Sequence, residues 1–311
     1  MSDIYGLKFT LSNYCGFRCK YCFVKTDEKE ILDFDIYKKL VDYYLFQSHE
    51  KYTFIFLGGE VLLIFDIFIK YIDYIRQYND NKKITIHLVT SGLGITPQRV
   101  KVLHEKGVLL GISIDGPEHI DSKNRVDKNG NPTFRNTLSS LSLLNNYYGD
   151  SNLGYTITVD EKTVYSLFGS FIYLSNLDVP RRNVGIAATY TVGWSIDNVS
   201  ELSSQLKKIC DFIILNIQKS NFYYYNILGF FILQILKGKR INTGNLEMHI
   251  FPDGQVSEML FIQSKWENKT EDPNHVRFEI VQPYAYKIIK ESYKDNNFKA
   301  YIESLLTKAI F

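Results

Sequence analysis

Three cysteines stand close together near the start of the chain, in Cys15-Gly16-Phe17-Arg18-Cys19-Lys20-Tyr21-Cys22, and the rest of the 311 residues hold only one more, Cys210. A Cys-x3-Cys-x2-Cys loop can grip three irons of a [4Fe–4S] cube by thiolate and leave the fourth iron without a protein ligand. An open iron is a place where a molecule can bind and be activated, so the loop points to catalysis rather than to electron storage. Two other chemistries use clustered cysteines. A structural zinc ion normally takes four ligands, which would call on Cys210 or a distant histidine. A disulfide framework needs an oxidising compartment and usually an even set of cysteines, and no basic-then-apolar signal segment opens this chain.

Other residues suited to chemistry each follow a short apolar run. Gly58-Gly59-Glu60 joins two residues that let the backbone approach a ligand to a carboxylate that can receive an ammonium group. Alone, it is also a common turn sequence. Thr90-Ser91-Gly92 offers two hydroxyls and a permissive glycine suited to ribose or carboxylate contacts. Ser113-Ile114-Asp115-Gly116-Pro117 comes next, and Arg125 offers a guanidinium fork that can clamp a carboxylate at two points. Each signal is weak singly. Their regular placement is the stronger observation.

The elements that must position these groups read as alternating strands and helices. Short, nearly all-apolar runs at 7–11, 53–57, 84–89, 109–114, 153–159 and 184–191 have the character of parallel strands covered by helices. Helical periodicity fills the intervals at 34–46, 67–77, 97–106, 134–147, 163–175 and 199–219. Such units, joined by ordinary crossovers, predict an α/β fold, a partial (β/α)6 TIM-like barrel. The loops after the strands then collect at one end of the sheet, where ligands of such folds bind. The cysteine loop directly follows the first strand and belongs at that end. From about residue 221 the character changes. Apolar runs at 248–251 and 256–262 flank Pro252-Asp253-Gly254-Gln255, which predicts a β-hairpin. Helices are expected near 284–293 and 298–309. The expected division is a barrel over 1–220 and a small C-terminal α+β extension over 221–311, packed on the barrel.

Composition sets the limits. With 45% hydrophobic and 15% aromatic residues the chain can bury a large core. A formal charge of +2 gives no footprint for nucleic acid. The longest apolar stretch, 222–236, contains Asn226 and Gln234 and falls short of a bilayer span. No nucleic-acid or membrane partner is expected, and the expected location is the cytoplasm.

The chain resembles radical S-adenosylmethionine (SAM) enzymes, and in detail the branch with SPASM-type C-terminal extensions that modifies peptides. The residues carrying the resemblance are Cys15-x3-Cys19-x2-Cys22 with Tyr21 before the last cysteine, Gly58-Gly59-Glu60-Val61-Leu62-Leu63, Thr90-Ser91-Gly92, and Ile112-Ser113-Ile114-Asp115-Gly116-Pro117 running on to Asn124-Arg125. The resemblance implies one [4Fe–4S] cluster ligated by Cys15, Cys19 and Cys22, with SAM chelating the open iron. It implies Glu60 at the SAM ammonium, Ser113 and Arg125 at its carboxylate, Tyr21 and the backbone near Phe23 at the adenine, and Thr90 and Ser91 near the ribose or methionyl part. Gly58, Gly59 and Asp115 belong to the same cofactor-binding set. One electron, from an external donor such as flavodoxin or ferredoxin, would release a 5′-deoxyadenosyl radical that takes hydrogen from an unactivated C–H bond.

Departures from the family pattern carry information too. Val61 stands where the turn usually has proline, and Ser91 where asparagine is usual. The segment 248–261 is similar to a SPASM hairpin, but the cysteines that bind auxiliary clusters there are absent, so a degenerate cap and a single cluster are expected. Cys210 has two readings. It is a thiol able to return a hydrogen atom to a substrate radical, as an epimerase needs, or a small core residue on a helical stripe with Leu202, Leu206, Ile213 and Ile217. The six histidines show no metal-ligand spacing; His87 reads as a barrel residue, and His249, which alternates with Glu247 and could face the barrel mouth, as part of a solvated strand face. Tyr223-Tyr224-Tyr225 reads as packing, and Tyr190 and Trp194 are placed to line a substrate groove.

The expected activity is hydrogen abstraction from a ribosomally made precursor peptide, ending in a cross-link, a thioether or an epimerised Cα. With the chain starting almost at its first strand, leader recognition is expected from the C-terminal part, an edge strand or a separate protein. A small-molecule substrate, such as an aminosugar or a nucleoside, is the alternative among enzymes. An Fe–S electron carrier or sensor is the alternative of another class, against which Glu60, Ser113 and Arg125 argue.

Overall fold

A computed structural model of the chain describes residues 4–22, 24, 29–47, 49, 51–78, 82–148, 153–177, 183–189, 194–216, 246–254 and 256–257. In chain order the strands are β1 (Ile4–Ser12), β2 (Tyr52–Gly58), β3 (Ile84–Thr90), β4 (Val108–Ser113), β5 (Leu153–Val159), β6 (Asn183–Ala188), β7 (Leu246–Ile250) and β8 (Val256–Ser257). The α-helices are α1 (Phe34–Phe46), α2 (Phe65–Arg76), α3 (Pro97–Glu105), α4 (Glu118–Asp121), α5 (Phe134–Asn145), α6 (Leu167–Ser175) and α7 (Ile196–Asn216). They belong to two compact units, the first made of 1–113, 124–153 and 243–269, the second of 114–123, 154–242 and 270–311.

In the first unit the strands are hydrogen-bonded in the order β4-β3-β2-β1-β7-β8. All neighbours are parallel except β8, which is antiparallel to β7. Side chains alternate between faces along a strand. Leu7, Phe9 and Leu11 of β1 and Phe54 and Phe56 of β2 are wholly buried. Against them pack Tyr37, Val41 and Tyr44 of α1 and Phe68, Tyr71 and Ile72 of α2, whose spacing puts them on one helical face. Ring centroids lie 5.5 Å apart for Phe9 and Phe56, 5.0 Å for Phe56 and Phe68 and 4.4 Å for Tyr37 and Tyr71. Burying each such ring contributes on the order of 2–3 kcal/mol. Asp33 starts α1 by accepting from the Asp35 and Ile36 N–H groups. The opposite face of the sheet, carrying Thr53, Ile55 and Leu57 of β2 and Thr85, His87 and Val89 of β3, is only half-buried.

The six expected strands and six expected helices all form, with ends displaced by at most a few residues. The hairpin forms as well, with Gly254 N–H donating to the Phe251 carbonyl at 2.9 Å and His249 opposite Ser257. Its first arm has a further neighbour that the hydrophobic pattern does not reveal. β7 runs parallel beside β1, with Lys8 opposite His249. That pairing corrects the reading of His249 as a solvated residue. It is 1% exposed, Nε2 lies 2.7 Å from Thr10 Oγ1, and its ring stacks on Phe251.

In the second unit β5 and β6 are parallel, with Tyr155 opposite Val184. Helices α6 and α7 pack through Phe168, Phe171 and Phe212, and the Gln205 side chain accepts from the Phe168 N–H. Trp194 is buried and donates its indole N–H to the Thr189 carbonyl at 2.7 Å, so it is a core residue and lines no groove. Tyr190, Tyr223-Tyr224-Tyr225 and the expected helices at 284–293 and 298–309 lie outside the described residues. No described helix is long and apolar enough to cross a membrane.

Burial, with the Lys8 charge adding to it, lowers the His249 imidazole from 6.5 to about 3. Between those values the unfolded chain binds a proton that the folded one refuses, so this residue removes stability as pH falls, by up to about 1.4 kcal/mol per pH unit. In urea titrations between pH 6.5 and 3, His249→Gln should lose stability less steeply than the unaltered protein. Parallel curves would contradict a buried neutral imidazole.

Candidate functional site

The cysteine loop leaves the end of β1. Cys15, Cys19 and Cys22 are half-buried and joined in no disulfide. The loop is tied to itself by Cys22 N–H donating to the Cys19 carbonyl at 2.9 Å and by Phe17 N–H to Cys15 Sγ at 3.3 Å. Arg18 Nη1 donates to the Cys15 and Phe17 carbonyls. Where the chain returns past β1, Ser12 Oγ donates to the Glu30 carbonyl and Glu30 N–H to Asn13 Oδ1 at 2.7 Å.

A second segment lies along the loop. Arg18 N–H donates to the Val126 carbonyl at 2.7 Å and Lys20 N–H to the Asn124 carbonyl at 2.9 Å, while Phe17 and Asp127 form an antiparallel bridge. Arg125, between those carbonyls, is 3% exposed and donates from Nη1 to the Tyr21 hydroxyl at 3.1 Å.

The Gly58-Gly59-Glu60 turn presses directly on the loop. Gly59 N–H donates to the Ser12 carbonyl at 2.6 Å and Glu60 N–H to the Tyr14 carbonyl at 2.7 Å. A Cβ at position 59 would come within 2.2 Å of the Tyr14 carbonyl oxygen, and Gly58 has φ +119, so neither place admits another residue without strain. Glu60 itself is buried, and its carboxylate is filled. Oε1 accepts from Leu62 N–H at 3.1 Å and Thr90 Oγ1 at 2.6 Å; Oε2 accepts from Ser91 N–H at 2.9 Å and from the Ser91 hydroxyl. Those donors match the roughly four lone-pair positions of a carboxylate. Burial raises the Glu60 pKa, and the bonds from Ser91, Thr90 and Leu62 oppose it. Thr90 and Ser91 thus address Glu60 with their hydroxyls.

The remaining expected site residues divide. Ser113 is half-buried at the end of β4 in the first unit. Asp115 belongs to the second, where Oδ1 accepts from Thr158 N–H of β5 and its own N–H donates to Asp121 Oδ2. Phe23 lies outside the described residues, as does the side chain of Cys210 on α7. Ser12, Asn13 and the backbone of 124–127 are site residues that sequence reasoning missed. Polar residues closing an apolar strand were the one signal for the first two.

The donor set suits an iron–sulfur cluster. Burial pushes the Cys15 thiol up to about 12 and raises Cys22, where the charges of Arg125 and Arg18 and a hydrogen bond from Val24 N–H act the other way. Thiols of this kind ionise as metal binds and expels their protons.

Two alanine substitutions separate the packed glycine from an ordinary one. Gly59→Ala should cost at least about 2 kcal/mol, since backbone must move. Gly169→Ala, within α6 with nothing near its Cβ, should gain about 0.5–1 kcal/mol. Equal effects in thermal unfolding would refute the close contact of turn and loop.

The family model described as the Radical SAM superfamily matches residues 9–162. A cysteine-type anaerobic sulfatase-maturating enzyme of Clostridium novyi (strain NT) is 30% identical over 151 residues, which is 46% of this chain and 40% of that enzyme. The chain therefore matches less than half the length of that relative. Among solved structures, anSMEcpe with bound AdoMet and the Cp18Cys peptide is 22% identical with a TM-score of 0.71, over 96% of this chain and 82% of that one. Streptococcus suis SuiB bound to precursor peptide SuiA is 13% identical with a TM-score of 0.60, over 88% of this chain and 64% of that one. At such identities the structural likenesses show the fold, the partial α/β barrel that the strand pattern predicts. Residues 9–162, which hold the cysteine loop, the Glu60 turn and Arg125, are a domain of the radical SAM superfamily.

Proposed function

We propose that this chain is a radical SAM enzyme that takes a hydrogen atom from a ribosomally made peptide. The observation that carries the reading is the joint between the cysteine loop and the Gly58-Gly59-Glu60 turn, made by the hydrogen bonds at Ser12 and Tyr14. It sets a carboxylate beside a set of thiols, which is what a cluster with one open iron and an amino-acid cofactor ask of a protein. When bound, the cluster and SAM supply, with one electron from a flavodoxin- or ferredoxin-type donor, a 5′-deoxyadenosyl radical able to attack an unactivated C–H bond.

In this reading Cys15, Cys19 and Cys22 hold three irons. Glu60 receives the SAM ammonium, while Thr90 and Ser91 orient its carboxylate. The ammonium meets Glu60 as a neighbouring charge or takes the place of the Ser91 hydroxyl. Ser113 and Arg125 receive the SAM carboxylate, and Tyr21 borders the adenine. The rest of the protein's task is to hold the target bond near the radical and keep water away.

A peptide substrate is supported by the relatives. The Clostridium novyi protein is named as maturing sulfatases, and the two solved structures hold peptides. With a single cluster expected from four cysteines, reactions that need no second electron acceptor, or that return an electron to that cluster, are favoured. A cross-link, a thioether and an epimerised Cα are the candidate products.

Anaerobically reconstituted protein, given SAM and dithionite, should form 5′-deoxyadenosine and methionine, and Cys19→Ser should lower the yield at least about a hundredfold, since removing one member of a unit removes the function. A short peptide encoded beside this gene and co-expressed with it should lose two hydrogens on cross-linking, or keep its mass and take up deuterium on epimerisation. An iron spectrum indifferent to SAM, with no 5′-deoxyadenosine, would overturn the assignment.

A further inference from the structure

The segment 124–133 acts as a strap over the cysteine loop. Its two carbonyls at Asn124 and Val126 accept from alternate loop residues, which leaves Arg125 against the loop between them. The strap is braced from behind. Thr133 donates to the Arg125 carbonyl from both N–H and Oγ1, and Asp127 Oδ1 accepts from Asn129 and Asn131 N–H at 2.8 and 2.9 Å. The Arg125 guanidinium is therefore fixed at both ends, by its backbone and by its bond to the Tyr21 hydroxyl, one residue from Cys22.

A charge so placed acts on whatever Cys22 holds. Arg125 is almost wholly buried, so neither water nor salt screens it well. A cubane with three thiolate ligands is an anion, and one-electron reduction makes it more negative. A fixed cation beside it favours the reduced form, because net charge and surroundings set the potential of such clusters. Arg18 is the natural contrast. It also lies near Cys22, but it is exposed, and it spends its hydrogen bonds on the Cys15 and Phe17 carbonyls.

We propose that Arg125 is a positioning residue that fixes Tyr21 beside Cys22 and raises the reduction potential of the cluster, independently of any contact with SAM. The proposal rests on the cluster assigned above. The electron concerned comes from the external one-electron donor, which is oxidised as the cluster is reduced; no bond is made or broken.

The test is a redox titration of anaerobically reconstituted protein, poised with dithionite and mediators and read by electron paramagnetic resonance, without SAM. Arg125→Gln should move the midpoint to more negative potential, Arg125→Lys should restore most of it, and Arg18→Gln should move it less. Tyr21→Phe, which keeps the charge and loses its anchor, should fall between Arg125→Lys and Arg125→Gln. Circular dichroism confirms that each variant is folded. If Arg125→Gln and Arg125→Lys both lower cluster content while the midpoint of the remainder stays put, Arg125 is only structural and the proposal fails. It fails equally if Arg18→Gln shifts the midpoint as far as Arg125→Gln. A wild-type cluster that responds to SAM, with a midpoint unmoved by Arg125→Gln, would sink this inference and leave the enzyme reading standing. A protein that takes up no cluster would sink both.

Discussion

A carboxylate with almost no solvent contact must have its oxygens filled, and Glu60 is the place in this fold where that demand organises everything near it. Its donors come from two strand ends. Leu62 follows β2, and Thr90 and Ser91 end and follow β3. The Glu60 N–H in turn reaches the loop after β1. One residue thus fastens three successive strand ends together. The bond network leaves no slack for the turn, which explains why Gly58 and Gly59 sit where a Cβ would strike the backbone or side chain of Thr10, Ser12, Asn13 and Tyr14.

Those strand ends can meet only because the sheet holds them in register. Phe54 and Phe56 sit opposite Leu7 and Phe9, and the same rows continue to Ile86 and Leu88 of β3. This apolar face is sealed by α1 and α2, so a slip of one residue would turn its rings outward and expose it. The opposite face is left half-buried and mixed in character, with Thr53, Ile55, Thr85 and His87. Large apolar side chains are concentrated on one side of β2 and β3, while on the other side the buried pair is polar, Thr10 of β1 and His249 of β7.

Local pattern reported the strands and helices well because each is paired with a helix at ordinary crossover distance, and both periodicities are strong. It also placed Cys15, Glu60 and Thr90 near the ends of β1, β2 and β3, where the first unit holds them. What it missed depends on neighbours distant in sequence. β7 reads as one arm of a hairpin, and nothing in its own residues says that β1 lies along its other edge. His249 therefore reads as solvated in the sequence and is buried in the fold. Trp194 is buried for a similar reason, since a residue after a strand can turn inward as easily as toward a groove. Ser91 shows the limit at the site itself. A hydroxyl beside a glycine suggests a ligand contact, but only the fold reveals that Glu60 already claims it.

The thiols raise a last question of design. Burial makes Cys15 and Cys22 reluctant to ionise, yet iron requires thiolates. A floppy loop would face that ionisation and its own ordering entropy together. Here the loop is tied by hydrogen bonds between protein groups. Asn13 and Ser12 hold the return of the chain, Asn124 and Val126 hold Lys20 and Arg18, and Cys19 holds Cys22. In the proposed site, the Arg125 and Arg18 charges favour ionisation of Cys22 against the burial that opposes it. Pre-arrangement of ligands by neighbours that never touch the metal is how a precise site is maintained, and the strap is as much a part of this one as the cysteines.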